Sequence, residues 1–256
     1  MTVQLCKVEP YFIIMTKKDI LYRSVEDPVK PFEFNKQVVD VFPDMIERSV
    51  PGYPLTISMI SVMADNFVQQ KSNVYDLGCY LGAVSRGIQQ GLNNKKCKII
   101  GVDNSQAMID TCIKNISYDR HNVDVEFVLG DVLQTEIVNA SVVVMNFTLQ
   151  FIPVDKRLML IKKIYKGLLP GGVLILSEKV MFDDKAENNT MHHLHHHMKE
   201  LNGYEKLEIA SKRDALEDVL VPETIESHMN RLNAVGFGKV FIWLKCLNFI
   251  SLLAIK

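Results

Sequence analysis

The chain of 256 residues has 48% hydrophobic and 23% charged side chains, a composition that excludes a disordered or fibrous protein. Its formal net charge of -1 lacks the basic excess of proteins that bind RNA or DNA directly, so we expect a small-molecule substrate. The five cysteines contain no CxxC spacing, which disfavours a disulfide framework and a zinc site and predicts a reducing, cytoplasmic location. No apolar run reaches the roughly 18–20 residues of a membrane-spanning helix, so we expect no membrane partner.

The first part of the chain carries little regular pattern. We predict a partly disordered lead-in over residues 1–34, without the basic start and long apolar core of a secretory signal peptide. Two helices are predicted after it, over Asn35–Arg48 with a break near Pro43, and over Thr56–Phe67. Residues 35–256 are predicted to form a single domain.

Strands and helices alternate between about residues 73 and 177, which predicts right-handed crossovers and a doubly wound parallel sheet. The predicted strands are Asn73–Leu77, Cys97–Val102, Val123–Leu129, Ala140–Phe147 and Val173–Ser177. The predicted helices are Leu81–Gly91, a helix that Asn104 or Ser105 caps, and Lys156–Leu169 with Asp155 as its cap. The strand that begins at Ala140 is so apolar that we expect it at the centre of the sheet.

The end of the chain predicts a change in this alternation. A mostly polar, helical segment at about residues 183–235 interrupts the sheet and is expected to form a cap over its carboxyl edge. Two strands follow, Lys239–Lys245 and Asn248–Ile255, and so little chain separates them that they must form an antiparallel hairpin at the sheet edge. The whole pattern predicts an α/β, Rossmann-like fold with a mostly parallel, seven-stranded sheet.

The first predicted strand leads into a glycine-rich turn, residues 76–82 (DLGCYLG). Glycine at a strand end allows a sharp turn and a close approach of ligand to backbone, and the following helix offers N–H groups to a ligand carboxylate. The acid Asp76 suits a ligand that carries a cationic amine and a sulfonium, and it would repel a pyrophosphate. An ordinary tight turn is the alternative, which this motif alone does not exclude.

Polar side chains also follow the next three strands. Asp103 stands where an acid binds a ribose diol in nucleotide-binding folds, although it could simply start the next helix. Asp131 follows the third strand, where an acid can meet the amino group of adenine, and a plain turn is the alternative. Asn146 ends the fourth strand. Together with the turn Leu169–Gly172, these features have the order and spacing of class I S-adenosylmethionine-dependent methyltransferases.

Several stretches of the chain resemble one family within that class, the carboxy-S-adenosyl-L-methionine synthases. They are Val41–Tyr53, Asn146–Phe151, Leu176–Lys179, Asn202–Tyr204 and Ser211–Arg213. The resemblance runs from about residue 34 to the C-terminus, and the usual family start lies near Met15. It implies a transferase that converts S-adenosyl-L-methionine and prephenate to carboxy-S-adenosyl-L-methionine, phenylpyruvate and water. It also implies a homodimer, and a downstream tRNA carboxymethyltransferase that uses the product to make 5-carboxymethoxyuridine at the wobble position.

The resemblance also implies the site residues. The positions that match the family's ligand-binding residues are Tyr53, Gly78, Cys79, Tyr80, Asp103, Asn104, Asp131, Val132 and Asn146. Arg213 matches the arginine that holds the carboxylate added to the methyl carbon, a group that a guanidinium can pair with bidentately. A solvated charge on a helix is the alternative for Arg213. Tyr80 departs from the family, because a small residue, usually serine, is expected there.

Five histidines lie between His192 and His197, and two of their pairs have the i,i+4 spacing that can bind zinc on a helix. A solvated or subunit-contacting helix is the simpler interpretation, and we expect no metal. Two other functions remain open from the residues alone. One is an ordinary methyltransferase that acts on a small molecule, and the other is a methyltransferase-like partner subunit without catalytic activity.

Overall fold

The computed structural model describes residues 17–23, 30–92, 95–116 and 123–256. Most of the predicted lead-in, including Met15, lies outside these residues. Eight strands are described: β1 Ser72–Leu77, β2 Cys97–Asp103, β3 Asp124–Leu129, β4 Ala140–Asn146, β5 Leu168–Met181, β6 Glu223–Thr224, β7 Lys239–Cys246 and β8 Phe249–Ile255. The helices are α1 Lys36–Ser49, α2 Tyr53–Phe67, α3 Ala83–Gly91, α4 Gln106–Ile116, α5 Val154–Gly167, α6 Lys185–Leu201, α7 Lys206–Leu216 and α8 Ile225–Val235, with a 3-10 turn at Leu149–Phe151.

Seven strands form the main sheet in the order β3-β2-β1-β4-β5-β8-β7, which confirms the predicted mostly parallel, seven-stranded sheet. Only β8 runs antiparallel to its neighbours, β5 and β7. The predicted hairpin is therefore confirmed, and its second strand lies inside the sheet while β7 forms the edge. The short strand β6 pairs with the end of β5 and lies off this path.

The strand β4 is central, as its composition predicts, because all of its residues are buried between β1 and β5. Its alternating side chains enter two different cores. Val142 and Val144 pack with α2 and α3 on one face of the sheet, whereas Val143 and Met145 pack with α5 and α8 on the other. The result is a three-layer α/β/α arrangement with helices on both faces.

The predicted helical segment at about 183–235 contains α6, α7 and α8. Helix α8 lies beside α5, and its Leu232 is fully buried in the main core. Helices α6 and α7 instead lie near α1, where His195 contacts the backbone of Ser49 and Ala215 packs with Phe42. These two helices supply residues to the site that follows.

Three local predictions need comment. Ser105 caps α4 as predicted, since its hydroxyl accepts from the Met108 amide at 3.3 Å. The prediction that Asp155 caps α5 is wrong, because the helix begins at Val154 and Asp155 lies in its first turn. Helix α3 begins two residues later than predicted, after Gly82 in the left-handed conformation (φ 77°), which the chain needs to leave the turn. No helix among the described residues is long and apolar enough to cross a membrane.

Arg157 of α5 is a fully buried charge that joins three parts of the fold. Its guanidinium donates to the backbone carbonyls of Ile152 (2.9 Å), Gln150 (3.2 Å) and Val221 (2.8 Å). It also forms an ion pair with Glu223 of β6. These contacts attach the chain that follows α7 to the turn that follows β4.

We expect Arg157→Ala to lower the free energy of unfolding by about 3–5 kcal/mol, because the substitution leaves buried acceptors without their donor. Urea denaturation followed by circular dichroism measures this change. Lys156→Ala is the matched control, since Lys156 is exposed and its ion pair with Asp155 should contribute less than about 1 kcal/mol. Equal stability of the two variants would contradict the structural role assigned to Arg157.

Candidate functional site

The carboxyl ends of β1, β2, β3 and β4 meet at one edge of the sheet, where the strand order reverses between β1 and β4. Open parallel sheets form ligand crevices at such points. Here the crevice is a cavity of about 230 Å³, which we call the outer cleft. The predicted ligand-binding residues that line it are Gly78, Tyr80, Asp103, Asn104, Asp131 and Val132.

The turn after β1 requires glycine at position 78. Gly78 has φ 79°, and a Cβ atom built on it would lie 2.4 Å from the side chain of Thr148. The amides of Gly78 and Cys79 both donate to the Val102 carbonyl, at 2.8 and 3.0 Å. The turn is therefore held against β2 by its own backbone, and its first two N–H groups are already used.

Asp76 has a structural role in this turn. It is fully buried, and its Oδ2 accepts from the amide (3.1 Å) and the hydroxyl (2.7 Å) of Ser85 in α3. Burial raises the pKa of Asp76 to about 7, and its Oδ1 has no partner. The carboxylate does not line the outer cleft, so the structure does not support the predicted direct contact with a cationic ligand group.

Asp103 lines the outer cleft. Its Oδ2 accepts from the Tyr80 amide and its Oδ1 from the Ser105 amide, both at 2.9 Å. Desolvation raises the pKa of Asp103, while these amides oppose that shift. A carboxylate has about four acceptor sites, so acceptor capacity remains for the hydroxyls of a ligand. Asn104 and Asp131 are exposed at the mouth of the cleft.

Tyr53, Cys79 and Asn146 are buried outside the lining of the outer cleft. The Tyr53 ring lies 6.4 Å from that of Phe147. Asn146 ends β4, and its buried Oδ1 has no hydrogen-bond partner among the described residues, like the hydroxyl of Thr148 two residues later. Buried polar atoms are nearly always paired, so these two atoms suit a polar ligand that reaches the end of β4.

Arg213 lies outside this cleft within a single chain. Its side chain is 63% exposed, and its Nε and a terminal nitrogen donate to Oδ1 of the adjacent Asp214 at 3.0 and 2.8 Å. The structure therefore does not bring Arg213 together with the other predicted residues of its own chain.

A second cavity, of about 110 Å³, lies beside the outer cleft, and we call it the inner pocket. Phe34, Tyr80 and Phe151 line both cavities. Tyr80 has φ 49°, its hydroxyl donates to the Phe147 carbonyl at 2.6 Å, and its ring stacks on that of Phe42 at 5.1 Å. The ring that replaces the usual small residue thus forms the partition between the two cavities.

The inner pocket contains charged side chains that the sequence did not identify as functional: Lys179, Lys199 and Lys212. Burial and the two neighbouring lysines lower the pKa of Lys199 to about 7. A signal existed for Lys179, which ends the family-like stretch Leu176–Lys179, and for Lys212, which precedes Arg213. For Lys199 the sequence offered one signal, its i,i+4 spacing from His195, which places both residues on the same face of a helix.

Two other residues, neither of them predicted to bind a ligand, shape this pocket. Glu178 is buried and accepts from the amides of Leu149 and Gln150, both at 2.9 Å, which holds the 3-10 turn after β4. Burial raises the pKa of Glu178 to about 8. The buried His195 donates its Nε2–H to the Ser49 carbonyl at 2.8 Å.

The rest of the histidine cluster follows the helix α6. The rings of His192 and His196 lie 6.4 Å apart, while His195 packs on Phe249 at 5.0 Å. No group of three metal-ligating side chains occurs among the residues that the structure describes.

Comparisons with known proteins agree with this geometry. Residues 74–172 match the methyltransferase-domain family. Human N-acetylserotonin methyltransferase, solved in complex with SAM, has a similar fold, with a TM-score of 0.57 and 16% identity, covering 86% of this chain and 55% of that chain. This similarity confirms the predicted Rossmann-like class I methyltransferase fold.

Closer relatives match nearly the whole chain. The carboxy-S-adenosyl-L-methionine synthase of Pseudoalteromonas translucida is 48% identical over 94% of this chain and 100% of its own length. The enzyme of the same description from Marinobacter nauticus is also 48% identical, over 93% of this chain and 95% of its own length. Identity at this level over the full length shows that the chain belongs to the carboxy-S-adenosyl-L-methionine synthase family.

Proposed function

We propose that this protein is a transferase that converts S-adenosyl-L-methionine and prephenate to carboxy-S-adenosyl-L-methionine, phenylpyruvate and water. The observation that carries the proposal is the pair of adjacent cavities. The outer cleft suits a nucleoside, and the inner pocket suits an anion with an apolar body. Tyr80 lines both cavities, so substrates bound in them would lie side by side.

The outer cleft would hold the adenosine part of S-adenosyl-L-methionine. Asp103 would accept hydrogen bonds from the ribose hydroxyls, and Asp131 and Val132 would contact the adenine. The unpartnered side-chain oxygens of Asn146 and Thr148 would meet the polar atoms of the amino-acid part. The sulfonium would then lie at the boundary between the two cavities.

The reaction requires a carbon–carbon bond between the sulfonium methyl and carbon dioxide. Prephenate becomes aromatic when it loses carbon dioxide and hydroxide. The hydroxide removes a proton from the sulfonium methyl and becomes water, and the methyl carbon bonds to the carbon dioxide. The charges and atoms balance without a metal or an added oxidant.

The protein's main contribution to this reaction is to hold the two reactants together and to exclude water. Aromatic rings, among them those of Phe42, Phe147 and Phe249, surround the inner pocket. Such walls would retain carbon dioxide and keep bulk water from the sulfonium. No general base is assigned, because the hydroxide comes from prephenate itself.

Arg213 is proposed to bind the new carboxylate in the site of a second copy of the chain. Its exposed side chain on α7 lies outside both cavities of its own chain, as a residue that serves a neighbour should. A C2 homodimer, in which each chain offers α7 to the other, would satisfy this arrangement.

The biological role proposed for the product is the supply of a carboxymethyl donor in the cytoplasm. A tRNA carboxymethyltransferase would use it to make 5-carboxymethoxyuridine at the wobble position. Because the product is released as a small molecule, this protein has no need to bind tRNA, which fits its net charge of -1.

We expect the purified protein, incubated with prephenate and S-adenosyl-L-methionine, to form phenylpyruvate and a nucleoside one carboxyl group heavier than S-adenosyl-L-methionine. Ultraviolet absorbance follows the first product and mass spectrometry identifies the second. Formation of S-adenosylhomocysteine alone, with a methylated small molecule, would instead support an ordinary methyltransferase. The absence of any bound adenosyl compound would support a catalytically inactive subunit.

Asp103→Ala should weaken the binding of S-adenosyl-L-methionine at least about tenfold, because hydrogen bonds to a charged acceptor contribute about 1.5–3 kcal/mol. Isothermal titration calorimetry measures the dissociation constant. Asp110→Ala is the control, since Asp110 is an exposed carboxylate on the neighbouring helix α4. Equal affinity in both variants would contradict ribose binding by Asp103.

Arg213→Ala should abolish the carboxylated product while S-adenosyl-L-methionine still binds. If Arg213 serves the neighbouring site, an equal mixture of Arg213→Ala and Asp103→Ala chains should recover about a quarter of the wild-type activity. Half of the dimers would then be mixed, and each mixed dimer would contain one intact site. No recovery after the chains have been shown to exchange would contradict a shared site.

A further inference from the structure

We propose that the inner pocket is the binding site for the second substrate, an organic dicarboxylate, and that Lys179 and Lys199 hold its two carboxylates. This inference rests on the proposed function, and it assigns that substrate to a particular set of residues. Lys179 comes from the end of β5 and Lys199 from the last turns of α6.

The first observation is that these two cations have no anionic partner among the residues that the structure describes. Lys212, the third lysine of the pocket, lies 3.4 Å from Oδ2 of Asp19, an oxygen that also accepts from the Tyr204 hydroxyl at 2.6 Å. In the described parts of the chain, no carboxylate lies within ion-pair distance of Lys179 or Lys199. The third cation is therefore compensated internally, and the other two are available to a ligand.

The second observation is the electrostatic cost of this arrangement. Burial lowers the pKa of Lys179, and burial together with Lys212 and Lys179 lowers the pKa of Lys199 to about 7. Among the described residues, no neighbouring carboxylate raises the pKa of either lysine. Clustered, unpaired charges of one sign destabilise a fold, and such clusters are concentrated at functional sites. A bound dianion would supply the missing negative charge.

The third observation is the character of the remaining walls. Phe42, Phe147 and Phe249 give the pocket apolar surfaces that suit a six-membered carbon ring. His195 also lines it. The Nε2–H of His195 is donated to the Ser49 carbonyl, while its Nδ1 is buried without a partner and can accept a hydrogen bond from a hydroxyl. Two cations, apolar walls and one neutral acceptor match a ring that bears two carboxylates and a hydroxyl.

The position of the pocket favours the second substrate over the amino-acid part of the first. Phe34, Tyr80 and Phe151 separate it from the outer cleft, where the nucleoside is proposed to bind. The methionine carboxylate of the nucleoside substrate is nevertheless another anion that could reach a lysine. If the lysines bind the second substrate, the dissociation constant of prephenate depends on them. If they bind the methionine carboxylate, the dissociation constant of S-adenosyl-L-methionine depends on them.

The test is a calorimetric titration of prephenate into the full-length protein saturated with S-adenosylhomocysteine. This nucleoside lacks the reactive methyl group, so binding is measured without turnover. The variants are Lys179→Met and Lys199→Met, which keep the length of the side chain and remove its charge. Lys185→Met is the matched control, because Lys185 is an exposed lysine at the start of the same helix as Lys199.

We expect each of the two pocket variants to weaken prephenate binding at least about tenfold, the loss typical of one charge-assisted hydrogen bond. The control should bind as the wild type does. Binding of S-adenosyl-L-methionine should change less than about twofold, since these lysines lie outside the outer cleft. The melting temperature of Lys199→Met should not fall, because the substitution removes a partly buried charge that has no carboxylate partner in the described part of the chain.

Lys199→Arg provides a second measure, because it keeps the cation and should retain more prephenate affinity than Lys199→Met. Unchanged prephenate binding in both Met variants would overturn the proposal. So would a selective loss of S-adenosyl-L-methionine binding, which would assign the lysines to the methionine carboxylate. A wild-type protein that binds prephenate through these lysines but forms no carboxylated product would contradict the proposed reaction and leave the assignment of the pocket standing.

Discussion

The hydrogen bonds of Tyr80 join the end of β2, the turn after β4 and the middle of α4, and both cavities depend on them. Its amide binds Asp103 at the end of β2, its hydroxyl binds the carbonyl of Phe147 after β4, and its carbonyl accepts from the Cys112 thiol of α4 at 3.0 Å. This geometry requires the sharp turn at Gly78, where the side chain of Thr148 leaves no room for a Cβ atom. One turn therefore shapes the outer cleft and also closes one side of the inner pocket.

The cationic side chains around the site differ in how they are paired. Arg157 is fully paired with Glu223 and three carbonyls, and it joins α5 to the segments on either side of the site. Lys179 and Lys199 are partly buried, and no carboxylate in the described part of the chain lies within ion-pair distance of them. Arg157 and the two lysines therefore differ in whether their charge is paired. A paired buried charge helps to specify the fold, whereas an unpaired one lowers the stability of the protein until a ligand compensates for it.

Much of the site could be predicted because parallel strands bring their carboxyl ends to one edge. Asp103 and Asp131 follow successive strands, so the strand pattern alone places both acids at the same crevice. The predicted contact of Asp76 with the ligand was not supported. Its position beside the turn does not show that the carboxylate points inward to Ser85. The lysine pocket was missed because β5 and α6 contribute its members, and no short motif records their proximity.

The sequence by itself determined the alternation of strands and helices, the central position of β4, the glycine turn and the membership of the family. These properties depend on local spacing and on the apolar pattern, which a linear sequence carries in full. Only the tertiary structure decided that Tyr80 divides two cavities, that Arg213 lies outside both in its own chain, and that three lysines share one pocket. The physical reason is that these properties depend on distances between residues far apart in the chain, which only the packing of the helices against the sheet sets.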